Sequence, residues 1–377
     1  MNSPLLIFAD DWGRHPSSCQ HLVGRLLDRH AVTWVNTIGT RTPKFDLATV
    51  KRGLGKVRQW FHKQDAPGES PKIDIVNPRM WPWFTRKMDR RLNRKLLVNS
   101  LRPILDQMTE PPIAVTALPL VADIMDDLPV KHWIYYCVDD FSEWPGLDRA
   151  VLKKMERIVV DRAEGLIAVS EHLQDRLRRM GRAAELLTHG VDLEFWRTNA
   201  VPATPSRIVF WGVLDRRMDT AWVRALSERL TEGTIVLVGP EQDVDPQLKR
   251  LPNVEMPGPV AFEELPVIAS TASVLIMPYA NLPVTRAMQP LKLKEYLATG
   301  KPVVVRDLPA TRDWADALDA VSNAESFAER VIERLKTALP EVQARARVRL
   351  ADSSWNAKAR LFESMIEMHQ PTLIGSA

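Results

Sequence analysis

The sequence predicts two α/β domains, each built on a parallel sheet, facing each other across a cleft. Three observations carry this prediction. Short β-branched runs alternate with amphipathic helical stretches along the whole chain. The alternation is interrupted at Pro202-Ala-Thr-Pro205 and then restarts. The length, 377 residues, exceeds what a single hydrophobic core organises. Alternation favours parallel sheets because a parallel neighbour must be reached by a crossover, usually a helix.

The first series opens with a strand over Leu5–Phe8. A loop, Asp10-Asp-Trp-Gly-Arg-His15, leads to a helix from Pro16 to Asp28. Strands follow at Ala31–Val35, Ile73–Asn77, Ile113–Ala117, Trp133–Val138 and Gly165–Val169. Helices separate them, notably Thr85–Met108 and Leu147–Ala163, and Ser170-Glu-His-Leu reads as a helix N-cap with an acidic first turn. The second series places strands at Arg207–Trp211, Thr234–Val238, Val254–Met256 and Ser273–Met277. Its helices are Ala221–Leu230, Phe262–Ala269 and Ala324–Ala338, and a last helix runs Trp355–His369. The expected boundaries are 1–200, 201–354 and 355–377.

Composition narrows the class. Apolar residues at 45% and charged residues at 26% describe an ordinary globular protein. The two cysteines, Cys19 and Cys137, have no metal-ligand spacing and suit a reducing compartment. Leu5–Phe8 is too short for a signal segment, and no run approaches a membrane span. The expected location is therefore the cytoplasm. The net charge of +4 hides an asymmetry: Arg41–Lys63 carries +6 and Arg79–Arg102 carries +7, so the remainder is acidic. Trp60, Phe61, Trp81, Trp83 and Phe84 interleave with these basic residues. Cations with Trp and Phe suit an anionic membrane surface, with Trp81, Trp83, Arg86, Lys87, Arg90 and Arg91 as the expected contacts. A solvated helix face remains the alternative. Nucleic acid is not expected, because no reader motif accompanies the charge.

The most informative stretch is Gln289-Pro-Leu-Lys-Leu-Lys-Glu-Tyr-Leu-Ala-Thr-Gly-Lys-Pro-Val-Val-Val305. It reads as a helix with Pro290 at its first position, stopped by Gly300 and followed by a buried strand. Lys292 and Glu295 share one helix face. Open α/β sheets bind ligands at the carboxyl ends of their strands. A cation and a carboxylate there suit a polyhydroxylated, anionic ligand, although spacing alone fits a solvated surface pair equally well. Other candidates lie at strand ends too. Gly13 lets backbone approach a ligand at a helix N-terminus. Asp139 and Asp140 follow a buried strand and are candidates for a general base, although either could instead cap the next helix. Gly212, Arg216 and Arg217 read as a pyrophosphate clamp. His189 and Gly190 close the first domain, with Gly190 expected in a left-handed turn. There is no metal-ligand cluster, P-loop or nucleophile elbow.

In order along the chain, Val138-Asp-Asp-Phe141, Glu164-Gly-Leu-Ile-Ala-Val-Ser-Glu171, His189-Gly-Val-Asp192, Gly212-Val-Leu-Asp215, Val238-Gly-Pro240 and the Pro290–Pro302 motif resemble the GT-B glycosyltransferases, in particular family 4 (group 1) and related polysaccharide-assembly transferases. The resemblance implies two Rossmann-like domains, an acceptor-binding first and a nucleotide-sugar-binding second. It also implies that the helix opened by Trp355 crosses back to the first domain. It implies sugar transfer from a UDP- or GDP-linked donor to a glycan or lipid-linked acceptor on the inner membrane face, without a metal or other cofactor. Glu295 would bind donor ribose, Lys292 with Arg216 or Arg217 the diphosphate, and Asp139 or Asp140 would serve catalysis. Gly13, His189, Gly190 and Gly212 would border the donor. Three departures stand out. Ala287 occupies the place of a sugar-facing glutamate, Val213 and Met218 replace the usual phosphate-binding pair, and His189 replaces an asparagine. These leave donor sugar, base and stereochemistry open. They also leave room for a non-catalytic peripheral membrane protein with a degenerate GT-B fold, or for a sugar-nucleotide epimerase.

Overall fold

A computed structural model of the chain describes residues 2–13, 17–36, 73–144, 147–197 and 205–368. The basic segment 41–63, linker residues 202–204 and residues 369–377 lie outside these.

Two parallel sheets organise the chain. The first runs β3-β2-β1-β4-β5-β6-β7, comprising β1 (Leu5–Ala9), β2 (Val32–Asn36), β3 (Ile73–Val76), β4 (Ile113–Thr116), β5 (His132–Cys137), β6 (Gly165–Ala168) and β7 (Glu185–Leu186). The second runs β10-β9-β8-β11-β12-β13, comprising β8 (Arg207–Trp211), β9 (Thr234–Val238), β10 (Val254–Gly258), β11 (Val274–Met277), β12 (Val303–Arg306) and β13 (Asp319–Val321). In each sheet the order reverses beside its first strand, between β1 and β4 and between β8 and β11. Such a switch point leaves a crevice at the carboxyl ends of the strands, where loops diverge to opposite faces. Central strands are buried along their whole length, which accounts for their unbroken apolar runs.

Departures from the sequence reading are local. The first helix spans Ser18–Gly24, shorter than expected, because Ser17 caps it through Gln20 N–H. The long basic helix is Lys87–Leu105, started where Asp89 accepts from the Arg86 amide at 3.2 Å. The Phe262–Ala269 helix divides into a 3₁₀ turn, Phe262–Glu264, and a helix, Leu265–Thr271, with proline in its first turn. Strands β7 and β13 have two and three residues, too few for a period-two pattern to register.

Each sheet has its own core. Trp355, Ala359, Phe362, Met365 and Ile366, from the last helix (Trp355–Met368), lie in the core of the first. His132 holds that helix through the Ile366 carbonyl at 2.9 Å. Val191 and Trp196 instead lie in the second core, so the chain changes domain just after Gly190. The outgoing and returning segments run side by side there, with Val191 N–H donating to the Ser353 carbonyl at 2.8 Å. Aromatic rings line this junction: His21 stacks on Trp355 at 4.6 Å, Phe195 on Phe262 at 4.8 Å, and Trp196 on Trp211 at 5.3 Å.

Candidate active site

The Lys292–Glu295 motif is not surface decoration. Pro290 is the N-cap, one position before its expected place, and the helix runs Leu291–Ala298. Both motif side chains converge on the end of β8. Glu295 accepts from the Trp211 indole N–H at 3.2 Å. The Lys292 ammonium donates to the Tyr279 hydroxyl at 2.8 Å and lies 4.5 Å from the centre of the Phe210 ring. Burial pushes the Glu295 carboxyl up to about 7, against the opposing pull of the Trp211 hydrogen bond and Lys292.

Gly212 makes this approach possible. Its φ is +136°, and a Cβ there would stand 1.9 Å from the Lys292 nitrogen. Gly239, at the end of β9, presses on it in turn, since its Cβ would fall 2.0 Å from the Gly212 carbonyl oxygen. Two strand-end loops thus pack backbone to backbone beneath one ammonium group. A side chain at either glycine would collide with this packing.

The structure separates the two arginines that the sequence reading treated as alternatives. Arg216 lies at the exposed rim, paired with Asp243, and takes no place beside Lys292. Arg217 is buried. Its Nε donates to Asp215 Oδ1 at 2.9 Å and its Nη2 to Oδ2 at 2.9 Å. Its guanidinium lies 4.6 Å from the centre of the Trp144 ring, which belongs to the first domain.

The two aspartates separate likewise. Asp140 accepts from the Ser142 amide and hydroxyl at 3.1 and 2.6 Å and pairs with Arg176 Nε at 2.8 Å. Arg176 also grips Glu156, which accepts from the Tyr135 hydroxyl. Asp140 therefore anchors and caps its loop. Asp139 remains. Burial raises its carboxyl to about 7, Arg217 and the Trp144 indole draw it down, and Asp140 pushes it up. A carboxyl titrating near neutrality at a strand's carboxyl end has the proton affinity of a general base.

His189 is buried, held near a pKa of about 3 by burial and by Lys294, and its Nδ1 has no partner among the described residues. Lys294, to which the sequence reading gave no role, donates to the His189 carbonyl and to Ser353 Oγ, tying both domain crossings together. Burial draws Lys294 down to about 7. No pattern in the sequence separates it from Lys292, two residues away. Gly190 corrects an expectation: it is not among the positive-φ glycines. A Cβ there would meet the Trp355 ring at 2.6 Å, so the glycine serves domain packing. Gly13 does have positive φ, +77°, with nothing within 4 Å of a Cβ position. Its amide, however, donates to Gln20 Oε1 at 3.1 Å, so it offers space and not a free N–H.

The basic-aromatic face is only partly available. Arg90 pairs with Asp123, its Nε 2.7 Å from Oδ2, and Trp83 is half-buried with its ring 4.7 Å from that of Trp81. Trp81, Arg86, Lys87 and Arg91 are exposed, together with Met88 and Leu92, which the sequence reading missed. No helix among the described residues is long and apolar enough to cross a membrane. One group of described residues has metal-ligand proximity: His30, Glu363 and Glu367. It sits at the amino end of the first sheet, away from the cleft, and Glu363 already engages Arg29 at 2.6 Å and His30 at 3.0 Å.

Residues 205–337 match the family model of group 1 glycosyl transferases. The match lies within the second domain. The domain's Gly212, Lys292 and Glu295 all lie inside the matched range. TuaH of Bacillus subtilis (strain 168), named for teichuronic acid biosynthesis and glycosyl transfer, is 31% identical over 179 residues. That match covers 43% of this chain and 45% of TuaH, just under half the length of each. The sucrose-phosphate synthase of Thermosynechococcus elongatus superposes with a TM-score of 0.72 at 17% identity, over 97% of this chain and 99% of its own. HepE of Anabaena, solved with UDP and glucose, superposes with a TM-score of 0.66 at 13% identity, over 97% and 100%. TarM of S. aureus, solved with UDP, gives 0.66 at 10%, over 97% and 99%. The fold of the whole chain is GT-B: two Rossmann-like domains around a cleft.

Proposed function

We propose that the protein is a glycosyltransferase that moves a sugar from a UDP- or GDP-linked donor to a glycan or lipid-linked acceptor of a cell-envelope polysaccharide. The observation that carries this is the convergence of Lys292, Glu295 and Gly212 at the end of β8. In this reading Glu295 accepts hydrogen bonds from the donor ribose. Lys292 stabilises negative charge growing on the departing diphosphate, in a site whose low dielectric strengthens the effect. Asp139 takes the proton of the acceptor hydroxyl if the configuration inverts. HepE and TarM, both solved with UDP, favour a uridine donor. TuaH favours a uronic-acid-containing envelope polymer as the product class.

The site of action in this reading is the inner face of the membrane, met by Trp81, Arg86, Lys87 and Arg91 with Met88 and Leu92 between them. Exposed apolar side chains flanked by cations gain from both burial and anionic headgroups. Calorimetry of the whole protein with UDP, GDP and their sugars tests the enzymatic reading. Binding of one nucleotide class, weakened by Glu295→Ala, is expected. A folded protein that binds none of them overturns it.

A further inference from the structure

Among the described residues, one side-chain cluster carries the donor set of a transition metal, and it is assembled from opposite ends of the chain. A ring nitrogen of His30 and one carboxylate oxygen each of Glu363 and Glu367 lie within 4.8 Å of one another. His30 stands between the first helix and β2, and both glutamates stand on the last helix, one turn apart. His30 and Glu363 are 333 positions apart, so the cluster exists only once the last helix has returned to the first domain.

The His30 ring decides the chemistry. Its Nδ1 lies 2.8 Å from the Ser3 carbonyl oxygen, which can only accept, so Nδ1 carries the hydrogen. In a neutral ring Nε2 then holds a bare lone pair, and it faces Glu363 Oε1 at 3.0 Å. Two acceptors at that distance repel unless a positive charge joins them. A second ring proton or a metal ion can supply it. Three features favour the ion. Glu367 is half-buried, makes no hydrogen bond or ion pair among the described residues, and adds a second carboxylate where a proton needs only one. The imidazole gives its other N–H to a backbone carbonyl, a common outer contact of a metal-bound ring. Glu363 is oriented in the same way, by Arg29 on Oε2 at 2.6 Å and by Asn2 Nδ2 on Oε1 at 3.2 Å. A carboxylate oxygen has lone pairs enough to accept from Asn2 and still bind a cation.

We propose that His30, Glu363 and Glu367 bind a divalent first-row transition ion such as Zn²⁺, with water in the fourth position. An imidazole beside two carboxylates disfavours Ca²⁺ and Mg²⁺, which take oxygen ligands. The ion's role is structural. It pins the returning helix to the domain in which the chain begins.

Calorimetry of the full, tag-free chain with ZnCl₂ at pH 7.5 tests this, with thermal unfolding of the same samples. One equivalent is expected to bind, and MgCl₂ is expected not to. Zn²⁺ at a hundredfold excess over its Kd should raise the unfolding midpoint by about 5 °C. At pH 5.5 the affinity should be about tenfold weaker or more, because the ring must be neutral to bind. Glu367→Gln breaks no contact among the described residues. It should weaken Zn²⁺ about tenfold or more and leave the metal-free midpoint unchanged. His30→Ala should abolish binding. It also removes the Ser3 and Glu363 contacts, so Glu367→Gln carries the test if that variant unfolds. A folded wild type that binds no Zn²⁺ overturns the proposal and assigns the bridging charge to a second ring proton. Undiminished Zn²⁺ affinity in Glu367→Gln overturns it too, as does equal affinity for Mg²⁺. UDP affinity, measured on the same samples, should not respond to Zn²⁺, so the transferase reading stands or falls separately.

Discussion

Replacing Glu295 by glutamine isolates what a buried carboxylate costs this fold. In the folded chain burial raises Glu295 from its usual 4.5 to about 7. Its proton is thus held more tightly in the folded state than in the unfolded one. The resulting stabilisation is fully present below 4.5 and is lost as pH rises through 7. At about 1.4 kcal/mol for each tenfold change in proton affinity, the ionised form costs up to about 3 kcal/mol above pH 7. Glutamine keeps an acceptor for the Trp211 indole N–H, 3.2 Å away in the native protein, and never ionises. Urea unfolding of Glu295→Gln and wild type at pH 4.5 and pH 8 should show near-equal stability at the lower pH. At the higher pH the variant should be more stable by about 1 to 3 kcal/mol, read from the transition of the second domain. Donor affinity should fall in the same variant, because a neutral amide is the weaker acceptor for ribose hydroxyls. A stability difference that is the same at both pH values would refute the desolvation argument. So would a variant that is less stable at pH 8.

Other substitutions test the remaining geometry. Gly212→Ala should displace the Lys292 ammonium and weaken diphosphate binding by about 1.5 to 3 kcal/mol, the loss of one charge-assisted contact, with calorimetry against UDP as the check. Gly190→Ala should destabilise the protein by about 1 to 3 kcal/mol through overpacking against Trp355, measured by thermal unfolding, while donor Kd stays at its wild-type value. Lys87→Glu with Arg91→Glu should reduce sedimentation with phosphatidylserine vesicles by roughly fivefold or more per residue, given about 1 kcal/mol per cation near the surface. Unchanged sedimentation would show that this face is not the anchor.

The order of elements, the restart after the linker and the Lys292–Glu295 pairing were legible in the sequence. They depend on local periodicity: β-branched runs fill the buried centres of parallel sheets, and residues three apart share a helix face. Residue type and distance from a strand end also brought out Asp139 as a candidate base. Tertiary structure decided everything that turns on partners far apart in the chain. Arg216 and Arg217 are adjacent and alike in sequence, yet one sits at the rim with Asp243 and the other is buried between Asp215 and Trp144. Asp139 and Asp140 differ because Arg176, on a later helix, claims only the second. Gly190 is a glycine because Trp355 returns to it from 165 residues downstream. Adjacent strand and loop residues point to opposite sides of the backbone, so a single step along the chain exchanges cleft for core. Which side faces which partner is set by the packing of two domains, and no local pattern encodes it.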